Sequence, residues 1–308
     1  MSNKWTIQDI PNLLDRIIIV TGANSGLGLE STKAFAAKGA TVVMACRNIG
    51  KAEKAKAEVL ASNPTAKLEV MELDNASLAS VRAFTDAFKA KYNRLDLLLN
   101  NAGVMAIPRT ETADGFEMQL GVNHLGHFAL TGLLIDVIAS TPGARIHSTS
   151  SSAAWNGKIN LDDLMGKQSY SRWGAYGQSK LANAAFATEL NRRLKAAGHD
   201  TIANSSHPGL VMGNLQENSL EQSDAPLMER ILYGTLAKLV AQDVNMGVLP
   251  QLYACVAPTA KGGAFYGPKT MRLRGYPAAQ KCNSALDDAA LLKQFWEVSE
   301  ELTGVHYL

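Results

Sequence analysis

The feature that most restricts the fold of this chain is a glycine-rich turn between a predicted strand and a predicted helix. Residues 16–21 contain a run of β-branched side chains, which is typical of a buried parallel strand. Gly22, Gly26 and Gly28 follow, and residues 29–38 have the pattern of a helix. Because glycines let backbone N–H groups approach a pyrophosphate at a helix N-terminus, this segment predicts a dinucleotide site. The spacing Gly-x-x-x-Gly-x-Gly differs from the usual Gly-x-Gly-x-x-Gly, and a turn without function is the alternative.

Strand-like and helix-like segments alternate through the rest of the chain. Further strands are predicted at 41–47, 67–73, 95–99, 144–149, 200–206 and 263–266. Helices are predicted at 50–61, 75–92, 115–140, 174–197, 244–256 and 285–303. This order predicts an α/β fold, a Rossmann-type doubly wound parallel β-sheet of about seven strands flanked by helices. The sequence has no recognisable linker or internal repeat, so residues 1–308 are expected to form a single domain.

One segment late in the chain has a pattern of its own. Residues 210–240 are amphipathic and are interrupted by Gly213, Pro226 and Gly234. Segments in this part of open α/β folds often border the ligand crevice at the carboxyl ends of the strands, so we predict a substrate lid. Two ordinary packing helices are the alternative.

Composition and charge exclude several classes of protein. The chain is 46% apolar and 19% charged, which is enough for a large core, and its net charge of +2 is well mixed, which argues against nucleic-acid binding. Cys46, Cys255 and Cys282 form no C-x-x-C pair, which is typical of free thiols in a reducing compartment. Residues 1–14 have no apolar signal region, and the apolar stretch 128–139 is too short to span a bilayer. We therefore expect a cytoplasmic protein with no membrane span.

The end of the second predicted strand indicates which dinucleotide is bound. An acidic residue at this position binds a ribose 2′-hydroxyl, whereas an arginine accommodates a 2′-phosphate. Here Cys46 is followed by Arg47 with no acid, and Lys51 adds a further positive charge. The sequence therefore predicts NADP(H) in preference to NAD(H), and the alternative is that Arg47 is an ordinary surface residue.

Candidate catalytic residues lie at the start of the predicted helix at 174–197. Tyr176 and Lys180 are four residues apart, which places the phenol and the ammonium group on one helix face. A nearby positive charge lowers the pKa of a phenol, and such a tyrosine can exchange a proton with a substrate oxygen. An exposed pair on a solvated face is the alternative. His124 and His127 also share a helix face, but no third ligand lies near them in the sequence, so no metal is predicted.

Taken together, these motifs resemble the classical short-chain dehydrogenase/reductase family over nearly the whole chain. The matching features, in family order, are Thr21-Gly22-x-x-x-Gly26-x-Gly28, Asp74, Asn101-Ala102-Gly103, Asn123, the Ser151 region, Tyr176-x-x-x-Lys180 and Pro208-Gly209. Residues 45–47, 123–128, 176–183 and 207–209 are most similar to the retinol-dehydrogenase-like branch, which also includes light-dependent protochlorophyllide reductases.

The resemblance implies a role for each catalytic residue. Tyr176 would be the general acid for carbonyl reduction or the base for alcohol oxidation. Lys180 would lower the pKa of Tyr176 and hold the nicotinamide ribose. Ser151 would bind the substrate oxygen, with Ser150 as the second choice, and Asn123 would hold a water that connects Lys180 to solvent.

The resemblance also implies a set of cofactor-binding residues. They are Gly22, Asn24, Ser25, Gly26, Leu27, Gly28, Arg47, Lys51, Asp74, Asn75, Asn101, Ala102, Gly103, Tyr176, Lys180, Pro208, Gly209 and Val211.

Two departures from the family pattern affect what the resemblance implies. Gly213 stands where the family usually has a threonine that contacts the nicotinamide amide, so Asn214 or the backbone would have to supply that contact. Ser151 and Tyr176 are 25 positions apart, which is longer than the commonest family spacing. The segment 155–173 is therefore expected to line the substrate pocket, with Trp155 and Trp173 as aromatic walls. A surface loop is the alternative.

The expected function is that of an NADP(H)-dependent oxidoreductase that interconverts an aldehyde or ketone and an alcohol on a hydrophobic small molecule. One alternative is a sensor or scaffold protein that binds NADP(H) without turnover. Light-dependent protochlorophyllide reduction is another, although no cysteine lies between Cys46 and Cys255 to serve in the pocket. Similar proteins form homodimers or homotetramers through the helices predicted at 115–140 and 174–197, and the longer chain here could block that contact. The substrate and the direction of reaction stay open.

Overall fold

The computed structural model describes residues 4–211 and 241–308, and within them a mostly parallel sheet carries the fold. Its eight strands follow the order β3-β2-β1-β4-β5-β6-β7-β8, and only β8 is antiparallel to its neighbour. The strands are β1 (Ile17–Thr21), β2 (Thr41–Cys46), β3 (Lys67–Glu72), β4 (Leu97–Asn100), β5 (Arg145–Thr149), β6 (Ile202–Ser206), β7 (Phe265–Thr270) and β8 (Arg274–Gln280). This arrangement confirms the predicted Rossmann-type class.

Helices cover both faces of the sheet. The described helices are α1 (Gly26–Ala37), α2 (Ile49–Ser62), α3 (Leu78–Lys91), α4 (Met118–Leu120), α5 (Gly126–Ala139), α6 (Arg172–Ala196), α7 (Val244–Gly247), α8 (Leu249–Val256) and α9 (Ala289–Thr303). In β1, Ile18 and Val20 pack in a cluster with α1, α2 and α8, while Ile19 packs in the cluster on the other face with α3, α5, α6 and α9. Side chains alternate between the faces of a strand, so a β-branched run fits a strand buried on both sides.

The helix predicted at 115–140 differs from the prediction in a way that matters for the site. It begins at Met118 and contains one π-helical turn, Gly121–Leu125, before α5 continues. Such turns are frequent at functional sites, and this one contains Asn123. A side chain at Gly126 would overlap the backbone oxygen of Asn75, so glycine permits close packing of α5 against that loop.

The eighth strand and the length of the seventh were not predicted. The prediction ended with a short strand at 263–266, whereas β7 extends to Thr270 and pairs with β8. Pro268 and Pro277 face each other in this hairpin. Proline lacks the N–H of a sheet ladder and argues against a strand in a sequence, but it is tolerated where the sheet ends.

The C-terminal helix α9 covers α5 and α6. Trp296 is buried between Phe128, Phe186 and Tyr307, and a side chain at Gly132 would overlap the Tyr307 ring. The helix α9 therefore packs on part of the helix pair through which copies were predicted to associate, and that association stays a prediction.

Two further expectations from the sequence concern the apolar stretch at 128–139 and the lid at 210–240. Among the described residues, the helical stretch Met118–Ala139 is long and apolar enough to cross a bilayer, but it is mostly buried in the core of this protein. The lid predicted at 210–240 lies almost entirely outside the described residues, as do Gly213 and Asn214.

Candidate active site

A cavity of about 850 Å³ opens at the carboxyl ends of the parallel strands, where ligands bind in open α/β sheets. It is bordered by the ends of β1, β2, β4 and β5 and by the loops that follow them. The predicted site residues that line it are Gly22, Asn24, Ser25, Gly26, Leu27, Arg47, Lys51, Asp74, Asn75, Asn101, Ala102, Gly103, Ser151, Tyr176, Lys180, Pro208, Gly209 and Val211. Gly28 and Asn123 lie behind this lining.

The glycine-rich turn has the shape that its sequence predicted. Gly22 and Gly26 have φ angles of +65° and +51°, a region that favours glycine. Gly28 is needed for a different reason, because a side chain there would overlap Gly22 O and lie 2.6 Å from Asn101 Nδ2. The start of α1 therefore packs directly against the turn, and backbone N–H groups can approach an anion.

Thr21 joins the two loops that form the floor of the cavity, and sequence analysis missed this role. Its Oγ1 accepts hydrogen bonds from the N–H groups of Asn101 and Ala102, both at 2.9 Å. In return, Asn101 Nδ2 donates to Thr21 O at 2.8 Å. The turn after β1 and the loop after β4 are thus fixed to each other.

The loops after β2 and β3 border the far end of the cavity. Arg47 and Lys51 are both exposed at this end, and Asn48 caps α2 by accepting the Lys51 N–H at 2.8 Å. Asp74 accepts the N–H of Ala76 at 2.9 Å, which orders the loop after β3. Among the described lining residues, the segment from the end of β2 to the first turn of α2 contributes two cations, Arg47 and Lys51, and no acidic side chain.

Tyr176 and Lys180 are buried side by side on α6. Lys180 Nζ lies 5.8 Å from the centroid of the Tyr176 ring and donates to Thr149 O at 3.2 Å. Burial lowers the pKa of Lys180 to about 8. A side chain at Gly103 would lie 3.2 Å from Nζ, so this glycine leaves room for the ammonium group beside the dinucleotide loop.

Asn123 supports this arrangement from behind. Its Oδ1 accepts the Val104 N–H at 2.7 Å, while its Nδ2 donates to Val104 O and to Ser179 Oγ, both at 2.9 Å. The side chain therefore fixes the loop after Gly103 to helix α6. Its predicted part in holding a water stays a prediction.

The two neighbouring serines differ in what their hydroxyl groups do. Ser150 is buried, and its Oγ donates to Lys180 O at 2.7 Å. Ser151 Oγ accepts the N–H of Ala153 at 3.2 Å, and within residues 4–211 and 241–308 its hydroxyl proton has no acceptor. Of these two serines, only Ser151 thus keeps a hydroxyl proton that could be donated to a ligand.

Apolar side chains line the remainder of the cavity. These are Met105, Ile107, Met118, Val122, Trp155 and Trp173, together with Val104, Leu210 and Val244. The Trp173 ring stands edge-on to Tyr176 with centroids 6.0 Å apart. Trp155 donates to Lys281 O at 3.3 Å and contacts His207. The segment between them borders the cavity mainly through these two rings.

His127 connects three parts of the site and was not predicted to do so. Its Nε2 lies 2.7 Å from Asn75 Nδ2 and 2.9 Å from Thr21 Oγ1, and its Nδ1 lies 3.0 Å from Asn123 O. Because a carbonyl only accepts, Nδ1 carries the proton and Nε2 accepts, and burial lowers the His127 pKa to about 4. His124 instead bonds Ser299 Oγ at 3.0 Å. No metal-binding group of three acidic, His or Cys side chains occurs among the described residues.

Comparison with known proteins assigns this site to a family. The model of the family described as short chain dehydrogenase matches residues 16–224. The chain belongs to the short-chain dehydrogenase family and is an oxidoreductase, and the family implies a nicotinamide dinucleotide as cofactor.

Curated relatives place it within that family. The chain is 37% identical to mouse retinol dehydrogenase 14 over 303 residues, which covers 94% of this chain and 86% of that protein. It is 44% identical to human retinol dehydrogenase 12 over 204 residues, or 66% of this chain and 64% of that protein. These matches confirm the resemblance to the retinol-dehydrogenase-like branch.

Solved structures have the same fold. A crystal structure of a protein from Mycobacterium paratuberculosis has a TM-score of 0.81 at 38% identity, and the match covers 99% of this chain and all of that one. Levodione reductase has a TM-score of 0.66 at 20% identity, with 82% of this chain and 95% of that one covered, which shows the fold alone.

Proposed function

We propose that this oxidoreductase uses NADP(H) to interconvert an aldehyde or ketone and the corresponding alcohol on a hydrophobic small molecule. The observation that carries the proposal is the position of Tyr176 and Lys180. They lie where the glycine-rich cofactor cradle meets an apolar pocket. A carbonyl bound there would meet both a proton donor and a dinucleotide.

In this mechanism the cofactor supplies or accepts the hydride, and the residues of the chain bind, orient and move a proton. Tyr176 protonates the substrate oxygen during reduction, and accepts the alcohol proton in the reverse direction. Positively charged Lys180 favours the phenolate form of Tyr176. Ser151 donates a hydrogen bond to the same oxygen as negative charge develops on it. Asn123 holds the Val104 loop beside Lys180.

The preference for NADP(H) is supported by the charge at the end of β2. Arg47 and Lys51 both line the cavity there, next to the N-terminus of α2, and the loop between β2 and α2 contains no acidic residue. A 2′-phosphate would gain two cationic partners, whereas a 2′-hydroxyl would lack its usual acidic acceptor.

The class of substrate follows from the apolar part of the cavity. Methionine, isoleucine, valine and tryptophan side chains border the space next to Tyr176. Retinol dehydrogenases are the relatives named above, and we propose a retinol-type substrate, that is, an elongated hydrophobic alcohol or aldehyde. We further propose that the reaction takes place in the cytoplasm. The alternative of protochlorophyllide reduction is not favoured, because no cysteine is present among the described residues that line the cavity.

The test is NADPH oxidation with a panel of aldehydes and ketones, measured for wild type and Tyr176→Phe and repeated with NADH. We expect wild type to prefer NADPH and Tyr176→Phe to lose about 10²–10⁴-fold in turnover while still binding NADPH. Unchanged turnover in Tyr176→Phe would contradict the proposal. Tight NADPH binding by wild type without turnover of any substrate would favour a sensor or scaffold.

A further inference from the structure

The apolar wall of the cavity contains a backbone conformation that its residue type rarely adopts. Ala106 has a φ angle of +47°, in the left-handed region that favours glycine. It lies between Met105 and Ile107, which both line the cavity, and it packs in a buried cluster with Met105 and Tyr176. An alanine keeps such a conformation only where its surroundings hold it, and residues of this kind concentrate at functional sites.

A buried glutamine holds this bend. Gln119 Oε1 accepts the Ala106 N–H at 2.7 Å, and the Gln119 side chain has no exposed surface. Its Nε2 donates to Tyr170 Oη at 2.9 Å and to Arg172 O at 3.0 Å. The amide group therefore connects the wall of the cavity to the first residue of the catalytic helix α6.

Tyr170 and a buried carboxylate complete the network. Tyr170 Oη lies 3.0 Å from Ile107 O and 3.1 Å from Glu117 Oε1, so its single proton has two acceptors. Glu117 is almost fully buried and also accepts the N–H groups of Gln119 and Leu120, at 3.0 and 2.7 Å. Both Ala106 and Ile107 are thereby fixed through one tyrosine and its two partners.

We propose that Glu117, Gln119 and Tyr170 are positioning residues that hold the Ala106 bend and so determine which substrates fit the cavity. The proposal rests on the proposed function and deepens it, because it assigns substrate selectivity to a network that does not itself border the cavity. The proposal also assigns a structural role to the long segment between Trp155 and Trp173, because Tyr170 lies in that segment. Among the described residues, these three side chains form no hydrogen bond to residues 22–28, 47–51 or 101–103, which border the cofactor half of the cavity.

The first test is Tyr170→Phe, with Tyr92→Phe as a matched control. Tyr92 also donates to a partly buried glutamate, Glu69, but among the described residues these two side chains form no hydrogen bond to a residue that lines the cavity. Straight-chain primary alcohols of increasing length serve as substrates with NADP⁺. We expect Tyr170→Phe to raise KM for the longest alcohols about tenfold, the equivalent of one lost hydrogen bond, and to leave the NADPH Kd and the KM of the shortest alcohols within about twofold. Tyr92→Phe should change none of these values.

Rescue distinguishes positioning from a general loss of stability. Glycine adopts a positive φ without steric cost, so Ala106→Gly should keep its bend without the full network. The double variant Ala106→Gly/Tyr170→Phe is expected to recover most of the lost selectivity. Met271→Gly relieves the steric strain at a comparable positive φ of 52° in an exposed hairpin, and combined with Tyr170→Phe it should rescue nothing.

A readout independent of turnover separates this proposal from the proposed function. Binding of the same alcohols in the presence of NADPH is followed by the fluorescence of Trp173, which borders the cavity. A wild type that binds long alcohols but does not turn them over would overturn the proposed function and leave the affinity ratios to decide on the network. Equal weakening for short and long alcohols, or failure of Ala106→Gly to rescue, would overturn the network proposal. If Tyr170→Phe does not fold, Glu117→Gln is measured in the same way.

Discussion

The cofactor half and the substrate half of the cavity are built differently. The cofactor half is made of short turns that directly follow β1, β2 and β4, and it is lined by glycines and by two cations, Arg47 and Lys51. The substrate half combines the loop at 104–107, the turn Ser152–Asn156 and the start of α6, which are distant in the sequence. The cofactor half is built from short segments of contiguous sequence, whereas the substrate half forms only when several buried contacts between distant segments are made together.

The largest effect is expected for Gly28→Ala, which tests whether the cofactor half depends on backbone shape. The new side chain would overlap Gly22 O and crowd Asn101 Nδ2, so the turn must shift. We expect the NADPH affinity, measured by fluorescence titration, to fall about a hundredfold, because an overlap with backbone lies at the upper end of the 1–3 kcal/mol that overpacking commonly costs. Gly143→Ala, at a turn where φ is +68° and nothing lies nearby, is the control. Wild-type affinity in Gly28→Ala would refute a backbone-shaped site.

A somewhat smaller effect is expected for Arg47→Asp, which tests charge in the same half. The change removes a cation from the end of β2 and supplies a carboxylate that can accept a hydrogen bond from a ribose 2′-hydroxyl. We expect the ratio of kcat/KM with NADPH to that with NADH to fall about 10–100-fold, because charge-assisted hydrogen bonds contribute about 1.5–3 kcal/mol. Lys54→Asp makes the same charge change in α2 at a residue that does not line the cavity. An equal fall in both variants would point to net charge alone.

The two neighbouring buried histidines sharpen the comparison further. His127 bonds Asn75, Thr21 and Asn123, whereas His124 bonds Ser299 and packs on aromatic rings. Phenylalanine at either position should lower the melting temperature, because each loses buried hydrogen bonds. Only His127→Phe is expected to weaken NADPH binding as well, by about tenfold. If His124→Phe weakens it equally, the cofactor half depends on the whole α5 packing rather than on His127.

The smallest effect, and the one at the border of the two halves, concerns the charge of Lys180. Its pKa is lowered to about 8 in the folded protein from 10.5, so between these values the unfolded chain binds more protons and the free energy of unfolding rises with pH. Below pH 8 the full cost of burying the charge is present. We therefore expect Lys180→Met to be more stable than wild type by about 1 kcal/mol at pH 7, a figure that already includes the lost hydrogen bond to Thr149 O. The same variant should lose activity.

The check on Lys180→Met is chemical denaturation between pH 7 and pH 11. The gain in stability should shrink from about pH 8 upward, because Lys180 of the wild type then loses its proton and no buried charge destabilises the folded state. A gain that is constant with pH would indicate a packing effect of the methionine instead.

Sequence analysis predicted the cofactor half residue by residue and the substrate half only in outline. Gly22, Arg47 and Lys180 belong to patterns in which the chemistry needs particular residue types at particular spacings. The hydrogen bonds of Thr21, His127 and Tyr170 follow from no such pattern, because their partners lie far away in the sequence. In the sequence His127 stood out as one of a histidine pair, for which no metal was predicted, and as part of the segment 123–128 that resembles the family, and neither feature predicted its hydrogen bonds.

The sequence by itself determined the alternating strands and helices, the dinucleotide turn and the Tyr176–Lys180 pair. Each of these depends on local periodicity, glycine backbone freedom or helical spacing, all of which are readable over a few residues. Only the tertiary structure decided the choice between Ser150 and Ser151 as the free hydroxyl, the burial of α5 under α9, and the bend at Ala106. These depend on which buried polar groups find partners across the fold, and hydrogen bonds between residues 13 to 175 positions apart leave no periodic trace in the sequence.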